Sequence, residues 1–145
     1  MEIMGNTLAI AASAMKAERQ RLDVIASNLA NANTTESAEG GPYKRRNVVF
    51  TSQAVDSDFG DTLLALGNRP EGVKVTDIVE DKSPPRLVFD PGHPDANPDG
   101  YVALPNVNPI TEMVDLQTAT RAYEANVQVV NATKRMAESA LAIGA

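Results

Sequence analysis

Apolar side chains at the two ends of the chain recur in alternating steps of three and four. At the front the row is Met1, Met4, Leu8, Ala11, Met15, Glu18, Leu22, Ile25, Leu29 and Ala32, and only Glu18 breaks it. At the back it is Met113, Leu116, Thr120, Tyr123, Val127, Val130, Lys134, Ala137 and Leu141. This is the a/d spacing of a helix that lays one seam against a partner. A helix of about 30 residues extends roughly 45 Å, longer than a small domain needs. The back helix carries a second apolar row, Ala122, Val129, Met136 and Ile143, at steps of seven. One seam satisfies a two-helix hairpin, whereas two rows imply more than one partner. Thr120 and Lys134 are polar positions on the seam, of the kind that fix register at some cost in stability. Asn31-Ala32-Asn33-Thr34-Thr35 supplies an ending for the first helix, since asparagine tolerates the left-handed conformation found past helix ends.

Between the ends the pattern changes. All nine prolines lie between Pro42 and Pro109, so two proline-free helical ends flank an irregular middle. Within it Val48–Gln53, Val73–Val79, Arg86–Phe89 and Tyr101–Leu104 are β-branched or aromatic runs bounded by Gly, Pro, Asn and Asp, the signature of short strands. Phe50, Phe59, Phe89 and Tyr101, with Ile78, Val88 and Leu104, are expected to form one small β unit. The fold class is therefore α+β. Residues 1–34 form an N-terminal helix, 35–109 an extended linker with the β unit, and 110–145 a C-terminal helix.

Composition sharpens this. The chain is 43% hydrophobic but only 4% aromatic, and much of the apolar content is alanine. Such a chain fills narrow helix seams better than a thick core, and a thin core needs neighbouring subunits for stability. The net charge of −6 resides in the middle, where residues 54–99 hold ten acids and four bases. That balance argues against nucleic acid, which requires a clustered basic footprint. Lys44-Arg45-Arg46, the one basic run, reads as a solvated turn. Absence of cysteine excludes disulfides and thiolate metal sites.

No apolar stretch reaches the ~20 residues of a membrane span. Leu8–Ala14, which ends in the cleavage-like Ala12-Ser13-Ala14, superficially resembles a secretory signal. Glu2 stands where basic residues belong, however, and the helical repeat runs through the supposed cut. No cleaved signal peptide is expected.

Candidate chemistry is sparse. Asp95-x-Asn97-x-Asp99-Gly100 fits the opening of a calcium loop, but Asn106 occupies the position of the bidentate Glu, and Pro98 stiffens the loop. A proline-pinned turn closed by Asx-type bonds accounts for the same residues. His93, the single histidine, has Asp90 and Asp95 beside it but no nucleophile or oxyanion site. No catalytic residue, metal site or cofactor is expected.

Motifs then point to a family. Ala26-Ser27-Asn28-Leu29-Ala30-Asn31-Ala32-Asn33-Thr34 resembles the sequence ending the first helix of bacterial flagellar axial proteins, the rod, hook and hook-associated subunits. The Gly-aromatic-Lys step that commonly follows is delayed here by Thr35–Gly41, before Tyr43-Lys44-Arg45. That delay is similar to the proximal members of the basal-body rod protein family. So are Asp90–Ala96, Gly100-Tyr101-Val102 and Pro105-Asn106-Val107-Asn108. Glu112–Leu116 and Arg121-Ala122-Tyr123-Glu124-Ala125-Asn126 resemble the axial C-terminal helix.

The resemblance implies a non-enzymatic subunit of the rod, the drive shaft that crosses the periplasm and transmits torque. It implies terminal helices forming an inner core around an export channel, with the middle facing outward. Passage through the flagellar type III export apparatus agrees with the missing signal. Expected partners are copies of the chain, other rod proteins and the adapter at the membrane ring. Leu8, Met15, Leu22, Ile25, Leu29, Met113, Leu116, Tyr123, Val127, Val129, Val130, Met136 and Leu141 are the expected subunit-packing residues. The family motif falls on Asn28, Leu29, Ala30, Asn31, Asn33, Thr34, Tyr43, Arg121, Tyr123 and Asn126. Residues 54–89 carry no recognisable motif.

Overall fold

The computed structural model describes residues 2–38, 40–55 and 70–143. In chain order these form α1 (Glu2–Ala30), β1 (Arg46–Ala54), β2 (Glu71–Glu80), β3 (Arg86–Phe89), β4 (Tyr101–Leu104) and α2 (Pro109–Ile143). At 1.5 Å per residue the helices extend about 43 and 52 Å. The architecture is α+β, as the proline map and the two periodic ends imply.

Local chemistry fixes the helix ends. Asn108 caps α2, its Oδ1 accepting the Ile110 N–H at 3.0 Å. Pro109 follows at the first helical position, where no N–H is needed. The end of α1 differs from expectation, because no described non-glycine residue has a positive φ. Instead the Asn31 side chain turns back, and its Nδ2 donates to the Ser27 carbonyl at 2.8 Å. The same carbonyl also accepts the Asn31 N–H at 3.1 Å, and the Ala32 N–H reaches the Leu29 carbonyl at 3.3 Å, so the last turn closes without a left-handed residue.

The helices pack antiparallel. Asn28, near the end of α1, touches Glu112 in the first turn of α2, and Arg21, two turns earlier, reaches Asp115. On α1 the buried positions are Ala11, Ala17, Ile25 and Asn28, with Leu8, Met15, Leu22 and Leu29 half-buried. The α2 seam runs through Glu112, Leu116, Ala119, Tyr123, Asn126, Val130, Thr133 and Ala137. It shares Leu116, Tyr123, Val130 and Ala137 with the expected row. At the alternate positions it moves one residue, replacing Met113, Thr120, Val127 and Lys134. The seam takes Glu112, Ala119, Asn126 and Thr133 instead. Ala119 is fully buried, and the three polar side chains can turn inward because each is hydrogen-bonded: Glu112 to Asn28 and Arg45, Asn126 to the Ala122 carbonyl and Thr133 to the Val129 carbonyl.

The middle forms two hairpins rather than one β unit. β1 pairs antiparallel with β2, Arg46 opposite Glu80 and Gln53 opposite Gly72, with a bulge between Val49 and Phe50. β3 pairs with β4, Val88 opposite Val102 and Phe89 opposite Tyr101. The Phe89 and Tyr101 rings meet edge-on, their centroids 5.3 Å apart. Among the described residues no ladder joins β2 to β3, and Pro84 and Pro85 lie in the segment that connects them. Phe50 and Ile78 belong to the first hairpin, and Val88, Phe89, Tyr101 and Leu104 to the second; Phe59 lies outside the described residues.

The first hairpin packs on α1. The second is tied to the chain by loop contacts, Thr35 Oγ1 to Asp95 at 2.7 Å and the Arg45 N–H to Asn106 at 3.0 Å. The buried core is thin and largely alanine and valine: Ala11, Ala17, Ala32, Val102, Val107 and Ala119, with Ile25.

A polar clasp and the exposed flanks of the helix pair

Two features could carry an assembly function. The first is a buried polar clasp where α1, β1 and α2 converge. Asn28 and Glu112 are 1% and 0% exposed. A buried amide is tolerated when all its positions are used, and Asn28 has two donor and two acceptor positions. Its Nδ2 donates to the Arg46 carbonyl at 2.8 Å and to Glu112 Oε2 at 3.1 Å. Its Oδ1 accepts the Arg46 N–H at 2.9 Å and the Tyr43 hydroxyl at 3.0 Å. The side-chain amide thus pairs with Arg46 as a neighbouring strand would, docking the start of β1 on the helix.

Glu112 requires a counter-charge, because an unpaired buried carboxylate is costly. Arg45 supplies one, its Nε donating to Glu112 Oε1 at 2.6 Å, while its Nη2 lies 3.5 Å from Asp115. The α2 N-terminus adds a favourable dipole, Glu112 being the acidic residue of its first turn. Asn31 accepts the Thr34 hydroxyl, and the Tyr43 N–H bonds the Thr34 carbonyl, which brings Thr34 and Tyr43 to the same site. Arg46 sits 5.7 Å over the Tyr43 ring.

Of the motif residues, the clasp gathers Asn28, Asn31, Thr34 and Tyr43. Leu29 is half-buried beside it, while Ala30 and Asn33 are exposed. Arg121 and Tyr123 lie further along α2, and Asn126 bonds the Ala122 carbonyl at 2.9 Å. Arg45, Asn106, Glu112 and Asp115 lie in stretches that carry the resemblance but were not among the expected site residues. The expected solvated turn at Lys44–Arg46 is corrected accordingly: Arg45 is drawn inward by Glu112, and Lys44 and Arg46 both pair with Glu80. No local signal marked Glu112 as buried, because the seam expected from the sequence runs through Met113.

The second feature is the outer surface of α2. Met113, Val114, Val127, Val129, Met136 and Leu141 are exposed, as is Ile110 at 74%. Val127 and Val129 stand about 200° apart around the helix at 100° per residue, so apolar residues flank the seam on both sides. Ile110, Met113 and Val114 also line a shallow groove with Leu29, Leu116 and Arg121.

The remaining loop is self-satisfied. Asn97 Oδ1 accepts the Asp99 and Tyr101 N–H groups, and Gly100 takes a φ of 81°, giving the Asx-closed turn. No helix among the described residues is long and apolar enough to cross a membrane.

Comparison with known proteins agrees with these features. Residues 8–36 match the family model described as flagella basal body rod protein. Residues 99–143 match the flagellar basal body rod FlgEFG protein C-terminal model. The two matches cover α1 from Leu8 onward with the clasp asparagines, and β4 with α2. The chain is 48% identical over 145 residues to the flagellar basal-body rod protein FlgC of Bacillus subtilis, covering 96% of this chain and 97% of that one. It is 42% identical to FlgC of Borreliella burgdorferi, covering 95% of each, and 43% identical to FlgC of Escherichia coli O6:H1, covering 96% of each. This chain belongs to the FlgC family of flagellar basal-body rod proteins.

Proposed function

We propose that this chain polymerises through α1 and α2 to build the proximal rod, the shaft that transmits torque and surrounds the export channel. Membership of the FlgC family makes it a structural subunit of the flagellar basal body and not an enzyme. In the proposed arrangement, residues 1–34 and 110–145 form the inner core and 35–109 face outward. Copies of the chain, other rod proteins and the adapter at the membrane ring are the neighbours. The chain reaches the periplasm through the type III export apparatus, without a cleaved signal.

One observation carries the reading: α2 exposes apolar side chains on both flanks of a seam already filled by α1. A single antiparallel partner reaches only one face, so the flanks suit additional helices. The subunit-packing residues divide accordingly. Leu8, Met15, Leu22, Ile25, Leu29, Leu116, Tyr123 and Val130 close the pair within a chain, while Met113, Val127, Val129, Met136 and Leu141 meet neighbours. Replacing Val127 with Asp tests this, because Val127 borders the seam without filling it. Cells carrying Val127→Asp as their only copy are expected to lose swimming and to yield basal bodies lacking the rod. Normal swimming sinks the assignment.

A further inference from the structure

The first hairpin is fastened to α1 at two places that differ sharply in character. At its base Arg46 is bonded through both backbone groups to the buried Asn28. At its far end the Val73 N–H donates to Ser13 Oγ at 3.0 Å in an exposed contact, and Ser13 donates in turn to the Ile10 carbonyl at 2.7 Å. Gly72 makes this approach possible. It is buried, and a Cβ there would stand 2.5 Å from Ser13 Oγ.

The spacing of the two fastenings matches on both elements. Fifteen helical residues separate Ser13 from Asn28, about 22 Å. Arg46 to Gln53, the residue opposite Gly72, is seven strand residues, about 23 Å. Beside the far fastening an open cleft lined by Ser13, Lys16, Gln20, Gln53 and Val73 lies between helix and hairpin. Most of β1 and β2 is exposed, and a two-stranded ribbon of that kind is marginal unless held.

We propose that the β1–β2 hairpin is a brace along α1, hinged at the Asn28 clasp and latched shut at Ser13–Gly72, with the latch the end that opens. A latched brace resists bending of α1. Its use rests on the shaft reading, but its presence does not.

The chain has no cysteine, so a Ser13→Cys, Gly72→Cys pair reports the latch cleanly. The Cβ placed at residue 72 lies 3.3 Å from that of Ser13, close to the Cβ separation of a disulfide. The double variant is expected to cross-link within the chain under mild oxidant, in the purified full chain and in basal bodies alike. An Ala9→Cys, Gly72→Cys control, one helical turn away, is expected to stay reduced. Basal bodies cross-linked at 13–72 are expected to keep their rods. Failure to cross-link, or rods that assemble only after reduction, overturns the closed brace. Hydrogen exchange of the full chain tests the asymmetry without engineered thiols. Ser13→Ala is expected to speed exchange at the Val73 N–H about tenfold while leaving Arg46 within about twofold. Equal acceleration at both, or at neither, overturns the hinge and latch.

Discussion

The clasp and the flanks of α2 solve opposite problems. At the clasp, Asn28 and Glu112 are removed from water and given partners within the chain, down to each hydrogen-bonding position of Asn28. Along α2, from Met113 to Leu141, apolar side chains remain in water at positions a core would cover. Buried polar networks specify one arrangement of the elements that build them. Exposed apolar rows specify nothing until a neighbour arrives. The contrast separates what makes this chain fold into one shape from what makes it join others.

Breaking the clasp gives the largest expected effect. Arg45→Met leaves Glu112 buried without its cation and is expected to lower unfolding free energy by about 3–5 kcal/mol, measured by denaturant titration. Asn28→Asp is expected to cost about as much, since a carboxylate cannot donate to Arg46 and Glu112 and adds charge beside Glu112. The double replacement Arg45→Met, Glu112→Leu should recover most of the first loss, because no buried charge is then stranded. If the two single losses simply add, the ion pair is not what holds the site together.

A far smaller effect is expected at the turn after β2. Hydrogen bonds from the Ser83 hydroxyl and N–H hold the Asp81 carboxyl below its ordinary value of 3.8. A depressed carboxylate contributes stability that is fully present above the unfolded value and lost as pH falls through the folded one. The Ser83 amide resonance should therefore stay constant from neutral pH down to the ordinary carboxylate range and move only below it. A midpoint above 3.8 would contradict this pairing.

The sequence announces the helices and strands more clearly than it announces their contacts. Period and proline placement locate both helices, and β3 and β4 coincide with the apolar runs Arg86–Phe89 and Tyr101–Leu104. The clasp was only half legible. Asn28 and Tyr43 could be named from a motif, but the salt bridge joins Arg45 to Glu112 across 67 residues, and no local window sees a pair so distant. The α2 seam was displaced at alternate positions because periodicity ranks the apolar Met113 and Val127 above their polar neighbours Glu112 and Asn126, whose hydrogen bonds are what allow them inside. The division of the middle into two hairpins was not legible, because apolar runs mark where strands form and not which of them pair.

Methionine oxidation of the free chain and of purified basal bodies tests the central claim most directly, because it requires no substitution. Met113 and Met136 are 59% and 55% exposed, while Met4 and Met15 are half-buried. The exposed pair should oxidise readily in the free chain, and in assembled rods its oxidation should fall about tenfold or more as neighbouring helices cover it. Equal oxidation of Met113 and Met136 in both states would contradict assembly through the flanks of α2.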